Sequence, residues 1–137
     1  MRRLLPLAAS LLLAPATLAD VAVIVHAKNT IATPPPKEVQ DIFLGRTRAF
    51  ADGRFAMPID QSSPLRAEFY QALTARPIEQ INAYWARLLF SGQASPPRQL
   101  ADDAAVLKIV RENEAAIGYV DPAHIDRSVR VLLLLKP

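Results

Sequence analysis

The chain has 137 residues, 51% of them hydrophobic, with 16 Lys+Arg against 13 Asp+Glu, a formal charge of +3 and no cysteine. That length suffices for one hydrophobic core and not for two domains, and without cysteine the core alone must supply stability. The arginines are scattered singly, with no basic stripe interleaved with aromatics, which excludes a nucleic-acid-binding surface.

Met1-Arg2-Arg3, an apolar run from Leu4 to Leu13 and the small-x-small triplet Thr17-Leu18-Ala19 read as a secretory signal over residues 1–19. A spanning helix needs about 20 uninterrupted apolar residues, and Pro6, Ser10, Pro15 and Thr17 interrupt this run. The mature protein is expected to begin near Asp20, periplasmic and without a lipid anchor. Loss of Arg2 and Arg3 leaves 14 basic residues against 13 acidic ones, a charge of +1.

Val21-Ala-Val-Ile-Val25 is a continuous β-branched run, predicting a central strand covered on both faces. Thr33-Pro-Pro-Pro36 stops it and opens a helix to Leu44, with Val39, Ile42 and Phe43 as the buried stripe and Gly45 as the left-handed end. After the Asp52-Gly53 turn, Phe55 to Ile59 reads as a short strand, with Pro58 placing it at an edge or a strand end. Ser62 or Ser63 caps a second helix with Leu65, Phe69 and Leu73 on one face. Pro77 opens a third with a stripe of Ile78, Ile81, Trp85 and Leu88, closed by Gly92.

Gln93 to Arg98 is a loop. Asp102 or Asp103 then caps a fourth helix, with Val106, Ile109 and Val110 inward and Asn113 as its stop. Ala116 to Val120 is a strand in which Gly118 permits a close approach or a bulge. Asp121-Pro122 turns, and Val129 to Leu135 is a last apolar strand. Alternating helices and buried strands predict an α/β fold, a single three-layer lobe with a mixed sheet over residues 20–137.

The chemistry-bearing residues are few. A helix N-terminus offers unpaired N–H groups and partial positive charge, and Gln61-Ser62-Ser63 stands where one is predicted, with Arg66 a turn further on as a fork for an oxyanion. The same Ser-Ser-Pro is also an ordinary helix cap. His26 and His124 lie far apart without metal-ligand spacing, and no G-x-S-x-G elbow surrounds either serine, so no catalytic residue, metal or cofactor is expected. Phe69 and Trp85 fall on helix stripes, leaving Tyr70 and Tyr84 to face a cleft.

Three segments, Asp41-Ile-Phe-Leu-Gly-Arg46, Pro58-Ile-Asp-Gln-Ser-Ser-Pro-Leu-Arg66 and Ile117-Gly-Tyr-Val120, resemble one lobe of a periplasmic phosphate-binding protein, a type 2 receptor of ABC importers. The resemblance implies a periplasmic-binding-protein-like fold and a phosphate or related oxyanion ligand. In that family the turn reads as an arginine followed by Ser-Gly-Thr. Here Gln61 stands near the arginine, Pro64-Leu65 occupies the glycine region, and only Ser62 and Ser63 match the hydroxyls. The implied ligand set is Gln61, Ser62, Ser63 and Arg66. The chain is too short for both lobes, so weak binding is expected unless a homodimer, a membrane transporter or a periplasmic partner closes the site. The competing expectation is an interaction module that has kept the lobe and lost the ligand.

Overall fold

The computed structural model describes residues 20–137; the expected signal at 1–19 lies outside the described residues. Five strands, β1 (Val21–His26), β2 (Met57–Gln61), β3 (Arg98–Leu100), β4 (Ala116–Val120) and β5 (Val129–Leu135), form one sheet in the order β3-β2-β4-β1-β5. β3, β2 and β4 run parallel, while β1 is antiparallel to both its neighbours, so the sheet is mixed.

β1 lies inside the sheet, but the middle position belongs to β4. Its sequence explains the three layers. Val21, Val23 and Val25 enter the core on one face and Ala22 and Ile24 enter the core on the other, the period-2 alternation of a strand buried on both sides. The first face is covered by α1 (Pro36–Phe43), α2 (Leu65–Thr74) and α3 (Ile78–Phe90), through Val39, Phe43, Phe69, Leu73, Ile81 and Trp85. The second is covered by α4 (Asp103–Glu112), through Val106, Leu107 and Val110. Leu107 takes a place that the sequence assigns to Ile109, which packs only partly against this core.

Gly118 is where α4 comes closest to the sheet. A Cβ there would lie 2.7 Å from Val106 Cγ1, so the absent side chain is the space the helix uses. Gly45 ends α1 at φ 72°, and a Cβ there would lie 2.8 Å from the Trp85 ring. The left-handed cap and the α1–α3 packing thus depend on the same missing methyl group.

Two elements differ from expectation. β2 starts and ends two residues later than predicted. Phe55 makes only an isolated bridge to Ala49, while Asp60 and Gln61 stay in the ladder through pairing of Ile59–Gln61 with β3. β3 falls partly in the predicted loop, since three largely exposed residues after Pro96-Pro97 carry no apolar pattern. Pro58 does sit at a strand end, before the pairing with β3 begins.

Candidate functional site

β2 and β3 both point their C-terminal ends to the same rim, where α2 leaves toward one face and α4 toward the other. A crevice at such a divergence is where open α/β sheets bind ligands, because two helix N-termini face it. The turn Gln61-Ser62-Ser63-Pro64 forms its floor.

The floor is held by a buried carboxylate. Asp60, 1% exposed, takes the hydroxyl of Tyr119 and the Gln61 N–H (2.8 Å) on Oδ1, and the hydroxyl of Tyr70 (2.8 Å) and Arg66 Nε (3.3 Å) on Oδ2. Four donors around one anion meet the requirement for burying a charge. Burial, followed by the Asp60 charge, pushes both phenols far above their ordinary range, so they remain donors. The stack of Phe69 on Tyr119, with centroids 3.7 Å apart and planes 7° from parallel, fixes where the Tyr119 hydroxyl sits.

Gln61 is fully buried and fully used. Its Nε2 donates to Tyr119 O (2.6 Å) and Asp103 Oδ1 (2.8 Å), and its Oε1 accepts from Ser63 Oγ (2.6 Å). Ser63 Oγ also accepts from Leu65 N–H at 3.3 Å, a local turn bond, but the expected Ser62 or Ser63 cap is not formed: Pro64 holds the N-cap position of α2 without a side-chain cap bond. Ser62 donates its N–H to Leu100 O at 2.9 Å, and its exposed hydroxyl reaches the same carbonyl only at 3.5 Å. The Arg66 side chain is only 13% exposed. Besides Asp60 it binds Asn82 Oδ1 through Nη1 (2.7 Å), and its guanidinium lies 5.3 Å from the centre of the Tyr70 ring.

Gln61, Ser63 and Arg66 therefore meet in one network and are spent within it, whereas Ser62, of the four predicted residues, stays outside it and bonds to Leu100 O. Tyr70 and Tyr84 do not face a cleft: Tyr70 is buried on Asp60, and the Tyr84 hydroxyl donates to Leu44 O at 2.6 Å. Each hydroxyl finds an internal acceptor, the Asp60 carboxylate for Tyr70 and the carbonyl at the end of α1 for Tyr84.

Asp103 extends the network outward. Its Oδ2 accepts the Asp121 N–H (3.0 Å) and pairs with His124 Nδ1 (2.6 Å), which raises the His124 pKa above its ordinary value. Asp102 caps α4 through the Ala105 N–H at 2.9 Å. A cavity of about 510 Å³ opens between Ser63, Asp102, Asp103, Leu107 and His124. Among the described residues no three His, Cys, Asp or Glu side chains converge for a metal ion.

Sequence reading missed Asp60, Asp103, Tyr119 and Asn82. The only signal was a carboxylate standing directly after the apolar residues Met57-Pro-Ile59, where solvent exposure is unusual for a strand end about to be buried.

No family model matches the chain, and no curated protein matches it. Solved structures do, and they share its α/β fold. One is a Clostridium perfringens protein assigned to the phosphate ABC transporter substrate-binding proteins and solved with bound phosphate, at TM-score 0.66 and 18% identity, covering 85% of this chain and 46% of that one. Another is an ABC-type phosphate transport receptor of Vibrio cholerae, at TM-score 0.65 and 17% identity, covering 85% and 47%. A third, from Planctomyces limnophilus and assigned as a phosphate-binding protein, has TM-score 0.59 and 14% identity, covering 88% and 46%. The chain thus has a periplasmic-binding-protein-like fold and spans slightly less than half the length of these proteins. No described helix is long and apolar enough to cross a membrane.

Proposed function

We propose that this chain is an exported, non-enzymatic binding module of the substrate-binding-protein type, which holds phosphate or a related oxyanion at the β2–α2 turn in ABC-type uptake or sensing. The supporting observation is that α2 starts where the parallel strands end, with Ser63 on the wall of the cavity there and the Ser62 side chain exposed beside it. Phosphate receptors of like fold lend the ligand class. In this reading the start of α2 and the exposed Ser62 hydroxyl donate to the anion, while Ser63, whose hydroxyl hydrogen goes to Gln61 Oε1, contributes to the turn. Gln61 and Arg66 hold the turn rigid, and the Asp60 charge is neutralised inward by Arg66 and the two phenols. One lobe leaves the anion wet, so affinity is low until a second copy, a transporter or a periplasmic protein covers it.

The test is calorimetric titration of phosphate into protein purified without phosphate, beside Ser62→Ala, which removes an exposed hydroxyl and leaves the internal network intact. Saturable binding near millimolar, weakened roughly fivefold by the substitution, supports the reading. A second reading is favoured by the carboxylates of Asp102 and Asp103 on the cavity wall, which repel a phosphate dianion. It is an interaction module that keeps the lobe without the ligand. No heat up to about 10 mM phosphate, an affinity below about 3 kcal/mol, sinks the first reading for the isolated lobe and favours the second. Amino-terminal sequencing of the exported protein tests the signal: cleavage after Ala19 leaves Asp20 first.

A further inference from the structure

Of the residues that line the cavity beside the β2–α2 turn, Asp102 and Asp103 bring two carboxylates, Ser63, Ala104 and Leu107 bring no charge, and His124 alone can gain a positive one. Arg66 is not available to an anion there, because Asp60 and Asn82 hold its guanidinium. With a neutral His124 the wall has a formal charge of −2, which opposes an anion; with a protonated one the charge is −1 and the repulsion falls.

The imidazole is tied to the turn. Its Nδ1 lies 2.6 Å from Asp103 Oδ2, Asp103 Oδ1 accepts from Gln61 Nε2, and Gln61 Oε1 takes the Ser63 hydroxyl, one continuous chain of hydrogen bonds. With Nδ1–H donated to Asp103, the other ring nitrogen carries a bare lone pair in the neutral form and an N–H in the protonated form. Protonation therefore changes Nε2, which has no partner among the described residues, from an acceptor to a donor, on a side chain 60% exposed to a solute. The Asp103 hydrogen bond above all, then the Asp103 and Asp121 charges, favour the imidazolium. Asp102 on α4 adds to them, Asp126 is engaged by Arg111 and Ser128, and the β2–α2 turn offers only the uncharged Ser63 and Gln61. We propose that His124 is the switchable cation of the oxyanion site, so that the anion is held when the imidazole is protonated and released when it is neutral. This rests on the oxyanion reading above and adds the regulation of that site by pH.

Sulfate, a dianion across this range, is titrated by calorimetry into the protein at about pH 6 and about pH 8.5, with His124→Gln and His26→Gln alongside. Phosphate is run in parallel, and its own titration is common to parent and variants. Neither histidine belongs to the core, so both variants fold, which their far-ultraviolet spectra verify. The expected result is sulfate binding about fivefold tighter at the lower pH in the parent and in His26→Gln, with no such difference in His124→Gln. By reciprocity, saturating sulfate raises the midpoint of His124 in a proton NMR titration. The His26 midpoint stays in place, because β1 pairs Ala22 with Val120 beside the crevice and carries His26 at its far end. Equal affinity at the two pH values, or a pH dependence that survives in His124→Gln, overturns this inference and leaves the oxyanion reading standing. No saturable binding of either anion at either pH sinks both.

Discussion

The two ends of β2 carry similar residue types and use them in opposite ways. At the C-terminal end, Arg66 is turned inward to a buried carboxylate, and every polar atom of the Gln61 side chain has a partner. At the N-terminal end, Arg48 and Arg98 line a second cavity, are exposed and form no ion pair among the described residues, and the buried Trp85 indole N–H has no partner. The difference is whether a complementary group lies within reach. Asp60 sits in the strand itself and draws Arg66, Tyr70 and Tyr119 around it; no carboxylate lines the cavity at the other end. A fully satisfied polar network rigidifies and specifies structure, whereas a buried donor without a partner costs stability.

The comparison breaks hardest at Asp60. Asp60→Ala removes the acceptor of four donors and leaves a partly buried arginine uncompensated, so a loss of about 3 to 5 kcal/mol is expected in urea denaturation. A loss below about 1 kcal/mol means that the network does not hold the turn. Gly45→Ala tests the other end. Its φ of 72° and the Trp85 ring at 2.8 Å together predict a loss of roughly 2 to 4 kcal/mol and a displaced indole resonance. Gly53→Ala, with φ of 86° and nothing within 4 Å, carries only the backbone cost of about 1 to 2 kcal/mol, and the gap between the two isolates the Trp85 contact.

Gln61→Ala orphans the Ser63 hydroxyl and Tyr119 carbonyl and is expected to cost about 1 to 3 kcal/mol, with greater hydrogen exchange in the Ser62–Leu65 turn. Unchanged exchange there separates the turn's rigidity from Gln61.

The smallest effect belongs to His124, the solvated outer edge of the network. The Asp103 hydrogen bond raises its pKa above 6.5, so its contribution is fully present below that value and is lost as pH climbs through the raised one. His124→Gln therefore lowers Tm more at about pH 5 than at about pH 9, and an equal change at both shows that the imidazolium charge adds nothing.

Much of the architecture was legible because local signals agreed. The β-branched run at Val21, the Pro36 and Pro77 helix starts, the Gly45 and Gly92 ends, the Asp102 cap and the Asn113 stop all stand where the sequence puts them. The site was legible as a position. That Gln61, Ser62, Ser63 and Arg66 cluster on one turn follows from a strand end beside a helix start. What each does there was not. Gln61 reads as a ligand residue and Asp60 reads as nothing until β4 and α4 bring Tyr119 and Asp103 to them, 59 and 42 residues away along the chain.

The sequence by itself determined the layers, the burial of β1 on both faces and the location of the turn, because propensity, capping and hydrophobic period act over a few residues. Only the tertiary structure decided the middle place of β4, the three-residue strand β3, the inward use of Gln61 and Arg66 and the orphaned Trp85 N–H. Those outcomes depend on which donors and acceptors meet across the sheet, and a hydrogen bond is fixed by separation in space, with no trace in the spacing of residues along the chain.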